Sequence, residues 1–293
     1  MLFRSADATA IAAQRQYLLA IRVRLYLLVA AAAAGAVSVA AGGVDWSSLA
    51  GAVALVAAAL TELYLVRDRP EQRWYEGRAA AESAKTLGWR YAVGAEPFGI
   101  EALPERDADR LLVRRLGELL TDLDDLGTEP VRGASEQITP AMRAVRAAPL
   151  PVRRAVYERW RIGEELAWYR AKSAWNQRRA HRLTLAVLAF EVVGATGGLL
   201  RVAGVGVNLL GVAAAGAAAL GLWLQTRQHQ VLAHAYAVTA QELSSIRSLI
   251  QWQDTEPEWT GFVDDAEAAI SREHTLWRAK RGRPARRGAK DPG

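Results

Sequence analysis

The chain has 293 residues, no cysteine, a formal net charge of +6, 51% hydrophobic and 23% charged residues, and a mean hydropathy near zero. Without thiols there are no disulfides, thiolate metal sites or cysteine nucleophiles. These averages match many soluble proteins, but the apolar residues fall in two blocks, Leu25–Val66 and Leu183–Leu224, with charge between and after them, which predicts an all-α integral membrane protein with large water-facing parts.

Each block is about twice the roughly 20 residues that cross a bilayer core. Four transmembrane helices are therefore predicted, as two hairpins. The spans are Leu25–Val44, Trp46–Val66, Leu183–Leu200 and Gly204–Leu224, with connectors at Gly42–Asp45 and Arg201–Gly204. Arg22 and Arg24 before an Ala-rich run resemble a signal peptide, but the length of the span and the second span directly behind it argue against cleavage. Arg15, Arg22 and Arg24 precede span one; Arg67, Arg69, Arg73 and Arg78 follow span two; Arg170, Lys172, Arg178, Arg179 and Arg182 precede span three. The hairpin tips carry only Arg201. Positive flanks stay on the cytoplasmic side, so both termini and the middle region are expected to be cytoplasmic.

The segment WYEGRAAAESAKTLGWRYAVG is predicted to continue span two outward as helix until the Gly94–Pro97 region. Pro104 opens a second helix with a 3.6-residue stripe at Leu111, Leu112, Leu116, Leu119, Leu120 and Leu123. Residues 126–132 read as a loop. Thr139 caps a short helix with Pro140 in its first position. From Pro151 the pattern runs without a breaker into span three, one helix of about 50 residues and about 75 Å. Span four is expected to extend in the same way to Gln253, and Pro257 opens a last helix. The plan is used twice, Arg22 corresponding to Arg182 and Glu82 to Glu242. It divides into a first two-span module (1–98), a helical connector (99–150), a second module (151–254), and a C-terminal helix with a basic tail (255–293). Arg278, Lys280, Arg281, Arg283, Arg286 and Arg287 in that tail fit attraction to anionic lipid, about 1 kcal/mol per residue near the surface. No stacking or groove-reading motif supports nucleic acid instead.

No constellation of residues supports an enzyme or a cofactor. His181, His229, His234 and His274 are dispersed; positions five apart lie about 140° around a helix and share no face. Gly204-Val-Gly206 lacks the preceding strand and the third glycine of a nucleotide loop. Tyr157, Trp160, Trp168, Tyr169 and Trp175 suit core packing of the long helix, with Trp175 at the interface belt. The other reading is a pocket in which Trp168 or Tyr169 works with Arg161 or Lys172 on an anionic nucleotide. Gly194 and Gly198, and the Ala/Gly run 211–221, predict close helix approach, within the chain or to another subunit.

Glu191 stands midway along span three, where a carboxylate must face the bundle interior or water. Two readings follow: a protonated acid hydrogen-bonded in the bundle, with Thr196 or a backbone carbonyl as partner, or a ring of glutamates lining a cation path made by several copies. Glu62 and Asn208 join it as candidate pore-lining positions, although Glu62 also lies beside Arg24 and Arg67 at the interface.

WRYAVGAEPF at 89–98 behind a two-span hairpin, and YERWRIGEELAWYRAKSAWNQ at 157–177 leading into another, resemble two SLATT-type modules, the two-TM effector domains associated with SMODS nucleotidyltransferases and SLOG sensors. The resemblance covers Ala13 to about Gln253 and rests on the Trp-Arg-Tyr then Pro-Phe pattern and on Arg161, Trp168, Tyr169, Lys172 and Asn176. It implies a bacterial inner-membrane effector that oligomerises and permeabilises the membrane when a sensor protein or a nucleotide second messenger signals infection. It supplies no catalytic residues. Arg161, Trp168, Tyr169 and Lys172 become candidates for ligand or partner contact, and Glu165 stands where the pattern leads one to expect glutamine. A non-conducting scaffold that recruits a partner is the alternative; a transporter is weak, since no broken helices with paired midplane polar sites are evident.

Overall fold

The computed structural model describes residues 2–37, 39–124, 136–204 and 209–280. It is almost wholly helical: α1 (Leu2–Gly35), α2 (Trp46–Asp68), α3 (Pro70–Val93), α4 (Glu105–Asp124), α5 (Pro140–Arg146), α6 (Leu150–Tyr157), α7 (Glu164–Val202), α8 (Leu209–Arg227), α9 (His229–Leu249) and α10 (Glu256–Lys280). Among the described residues four helical stretches are long and apolar enough to cross a membrane: Asp7–Gly35, Trp46–Val93, Leu150–Val202 and Leu209–Trp252. The protein is therefore all-α, multi-pass and in contact with lipid.

The first helix ends at Gly35, short of the predicted Val44, and the tip is a two-stranded ribbon, β1 (Ala40–Ala41) against β2 (Val44–Asp45). Gly42 and Gly43 between them have φ of 60° and 79°, the positive pair a tight hairpin turn requires. Ser47 stops the helix from continuing: its hydroxyl donates to the Val37 carbonyl at 2.8 Å and accepts from the Val39 amide at 3.2 Å. Asp45 then caps α2, its Oδ1 accepting from the amides of Ser47 and Ser48.

The outward continuations of spans two and four contain a break that the pattern did not show. Arg69 (φ 44°) separates α2 from α3, and Gln228 (φ 47°) separates α8 from α9. Each leaves the helix through the left-handed region, rare for non-glycine residues. From Leu150 to Val202 the chain is helical throughout, as expected, with a π-helical turn at Glu158–Gly163.

Two compact units are formed. One contains Arg78–Arg170 and Ala235–Gly293, with Met1–Ala6, and holds three buried apolar clusters. Tyr157, Ile162, Trp259, Val263 and Ala266 form one buried cluster; Tyr91, Phe98, Ala108, Leu112 and Leu116 form another, with Leu111 and Leu119 against it. The other unit contains Asp7–Gly77 and Ala171–His234, the two hairpins. Its helices approach through small residues. A Cβ on Gly51 would lie 3.5 Å from the Ala31 carbonyl and from Ala34. On Gly194 it would lie 3.2 Å from Ala213, on Gly197 2.7 Å from Leu209, and on Gly216 2.5 Å from Phe190.

Candidate functional sites

Arg161 sits in the π turn, fully buried with Tyr157 and Ile162. An inserted residue of this kind recurs at functional positions because it redirects side chains. The guanidinium is filled on every nitrogen. Nε and Nη2 donate to the two oxygens of Glu267 at 2.8 and 2.6 Å, Nη1 donates to Glu165 at 2.9 Å, and Nη2 also reaches Glu82 at 3.2 Å and Thr86 at 3.4 Å. Glu267 is itself fully buried and accepts two more bonds, from the Tyr157 hydroxyl at 2.9 Å and the Thr86 hydroxyl at 2.8 Å. Lys85 pairs with Glu165. Glu165, the position that departs from the resemblance, thus bonds two cations.

This network joins α3, the π turn, the start of α7, and α10. It combines two cations, Arg161 and Lys85, with three carboxylates, Glu82, Glu165 and Glu267. A buried pair of this kind is strongly destabilised when one partner is removed, since the other is left charged and unpaired. Arg161 therefore contacts a ligand only after its bond to α10 opens. The cluster is a lock between helices, and among the described residues no group of three His, Asp or Glu side chains is placed to hold a metal ion.

The WRYAVGAEPF segment wraps a turn around Gly94, whose φ is 72°. A Cβ there would fall 2.5 Å from Ile100. Two buried arginines bond the carbonyls this turn leaves over. Arg146 donates to the carbonyls of Tyr91, Phe98 and Leu103 at 3.1, 2.6 and 3.3 Å. Arg153 donates to Val93 at 2.7 Å and also pairs with Glu256 of α10. The Trp259 indole donates to the same Val93 carbonyl at 2.9 Å. Trp89 meets Tyr157, and Tyr91 meets Phe98, edge to face at 5.9 and 5.8 Å. The backbone carbonyls of the segment therefore tie it to α10 through Trp259 and the Arg153–Glu256 pair and to α5 through Arg146, with its aromatic rings packed alongside. Arg146, Arg153, Glu256 and Glu267 escaped the sequence reading because the partners named above lie 43 to 181 residues away; single charged residues inside otherwise apolar helical faces were the available signal.

Trp168 and Tyr169 lie together in the same unit, ring centres 5.0 Å apart, with Tyr236 completing the cluster and the Arg78 guanidinium 5.8 Å from the Trp168 ring. Lys172 is exposed, its Nζ 5.7 Å from the Trp175 ring. Arg161 and Trp168 belong to different clusters, so the four candidate contact residues do not share one pocket. Asp109 of α4 accepts from the Tyr91 hydroxyl and, at 2.8 Å, from Arg143. Burial pushes its carboxyl up, but these two bonds outweigh that and hold it below the usual range.

In the hairpin unit, Glu62 pairs with Arg24 at 3.0 Å. Glu191 is exposed on α7 near exposed Leu188 and Val192. It makes no hydrogen bond or ion pair with any described residue, Thr196 included. Asn208, Arg281, Arg283, Arg286 and Arg287 lie outside the described residues. Arg278 and Lys280 are in α10, with only their backbone described.

Residues 1–154 match the family model for SMODS and SLOG-associating 2TM effector domain 3, and residues 157–277 match the model for SMODS and SLOG-associating 2TM effector domain 1. Comparison with curated proteins gave no match, and neither did comparison with solved structures. Both matched ranges contain a hairpin of membrane-crossing helices. With more than half of the chain matched by the first model alone, the protein belongs to the SMODS and SLOG-associating two-TM effector family, as two tandem domains of one multi-pass membrane protein.

Proposed function

We propose that the protein is a non-enzymatic effector of a bacterial inner membrane that assembles from several copies and permeabilises the bilayer when a sensor protein or nucleotide second messenger signals infection. The observation that carries this reading is Glu191. A carboxylate midway along a membrane-crossing helix is too costly to face lipid, yet within one chain it is exposed beside aliphatic neighbours and has no partner among the described residues. Four spans pack around a side-chain-filled centre and leave no water path. Several copies place their Glu191 side chains on a shared aqueous interior, where a ring of carboxylates favours cations.

The basic flanks support a cytoplasmic helical unit, the side on which an intracellular signal arrives. Opening the Arg161–Glu267 lock loosens the central tie of α10, which Arg153–Glu256 and Trp259 also hold, and is the step through which that signal acts on this unit. A scaffold role is the second reading, supported by Trp160 and Trp252 at 50% and 64% exposure on the helical unit, a surface fit for a partner.

Purified protein in liposomes tests the two. The effector reading expects cation leakage that rises with protein density, and a particle mass in mild detergent of several chains. A monomer that leaks nothing, with or without candidate nucleotides, leaves the scaffold.

A further inference from the structure

The bases of the two hairpins carry a second cluster, all of it inside the unit built from Asp7–Gly77 and Ala171–His234. On α7, Lys172, Trp175 and Arg179 follow one helical face at three- and four-residue steps. The Arg179 guanidinium lies 5.5 Å from the Trp175 ring, opposite in sequence to Lys172 at 5.7 Å. On α8, Arg227 lies one turn beyond Trp223 and 5.8 Å from its ring, and Arg22 of α1 lies over the same ring at 5.1 Å. His229 links the two halves. Its ring meets Trp175 edge on at 5.5 Å, and Arg227 and Arg179 are the charges that act on it. Asn176 fixes its tautomer: the amide Nδ2 donates to the Lys172 carbonyl, so Oδ1 accepts, and His229 Nδ1, 2.7 Å away, carries the proton.

Arg22 and Arg179 are exposed and form no ion pair with a carboxylate among the described residues. An arginine seated over an indole keeps its N–H donors, which lie in the guanidinium plane, directed sideways for a bidentate oxyanion. The location selects the anion. Trp223 and Arg227 end the fourth span, Arg179 precedes the third and Arg22 the first, so all stand where the apolar runs give way to charge, at one membrane face. That is the depth of indoles in the interface belt and of lipid phosphates.

We propose that this cluster is a headgroup site for an anionic phospholipid, its phosphate engaged by Arg179 and Arg227 and flanked by Trp175 and Trp223, with Arg22 as a further cation. The site is independent of whether the protein conducts ions. It accounts for the pairing of each interfacial tryptophan with two cations, which hairpin packing alone does not require.

The test uses the full chain in nanodiscs of equal phosphatidylglycerol and phosphatidylcholine, with the lipids retained after extraction counted by native mass spectrometry. Wild type retains phosphatidylglycerol preferentially. Each arginine-to-glutamine change lowers the preference about fivefold, so the Arg179→Gln, Arg227→Gln pair loses it by an order of magnitude or more. The lysine pair keeps most of it. Arg110→Gln with Arg114→Gln, on α4, leaves it unchanged. Where the double variant fails to fold, Arg22→Gln alone carries the test, with a loss of about fivefold. Equal loss from the α4 pair, unchanged retention in the glutamine variants, or displacement of the lipid by millimolar glycerol phosphate would each overturn a built lipid site.

Discussion

Arg161 and Glu267 are useful to the fold only as a pair. Glu267→Gln keeps the shape but leaves Arg161 buried with less than its full counter-charge, and is expected to lower stability by about 3 kcal/mol. Arg161→Ala and Glu267→Ala should be strongly non-additive in a double-mutant cycle of denaturant unfolding; additive losses would show that the two act separately. Asp109 makes a pH-dependent contribution. Its carboxyl is held low in the folded state, so the stability it contributes is fully present above the ordinary carboxylate range and is lost as pH falls from that range through the lowered folded value. Asp109→Asn should therefore cost about 1 kcal/mol at neutral pH after solvent screening, and its unfolding curve should merge with wild type on acidification. A gap constant from neutral to acid pH would contradict this. At this scale sequence reading singled out Arg161 but not its counter-ion, because no local spacing connects positions 106 residues apart.

The helices themselves were largely legible, since hydropathy and 3.6-residue periodicity are local properties. Thr139 does cap α5, its Oγ1 accepting from the Met142 amide at 3.2 Å, and the run from Leu150 through Val202 is continuous. What periodicity cannot register is a one-residue change of phase. The π turn at Glu158–Gly163 and the left-handed breaks at Arg69 and Gln228 are of this kind. Pro70 gave half a signal for the first break, and nothing in Gln228-His229 marks the second. Glycine removes the left-handed penalty, so Gln228→Gly is expected to be neutral or stabilising by up to about 1 kcal/mol, whereas Gln228→Val destabilises. Thermal unfolding in detergent reads both. Gly94→Ala should destabilise by about 2 kcal/mol or more, combining a φ of 72° with overlap on Ile100; wild-type stability in that variant would contradict the turn's assigned geometry.

On the scale of the molecule, the two tandem family domains do not coincide with the two compact units. Both hairpins fall in one unit and the helical flanks in the other. The duplication is therefore one of chain plan, in which each domain supplies a hairpin to one unit and helices to the other. The two hairpins were legible from the segregation of apolar and charged residues, while this grouping depends on long-range packing that no single segment encodes. It also places Glu191 on the hairpin unit, exposed and without a partner among the described residues, where the proposed assembly begins. The direct measurement is the reversal potential across a planar bilayer in asymmetric potassium chloride, for wild type and for Glu191→Gln. A ring of ionised glutamates predicts a cation-selective wild type, and a reversal potential shifted toward zero in the variant with particle mass unchanged. The same reversal potential in both proteins, or no conductance from a wild type that inserts and assembles, would contradict it.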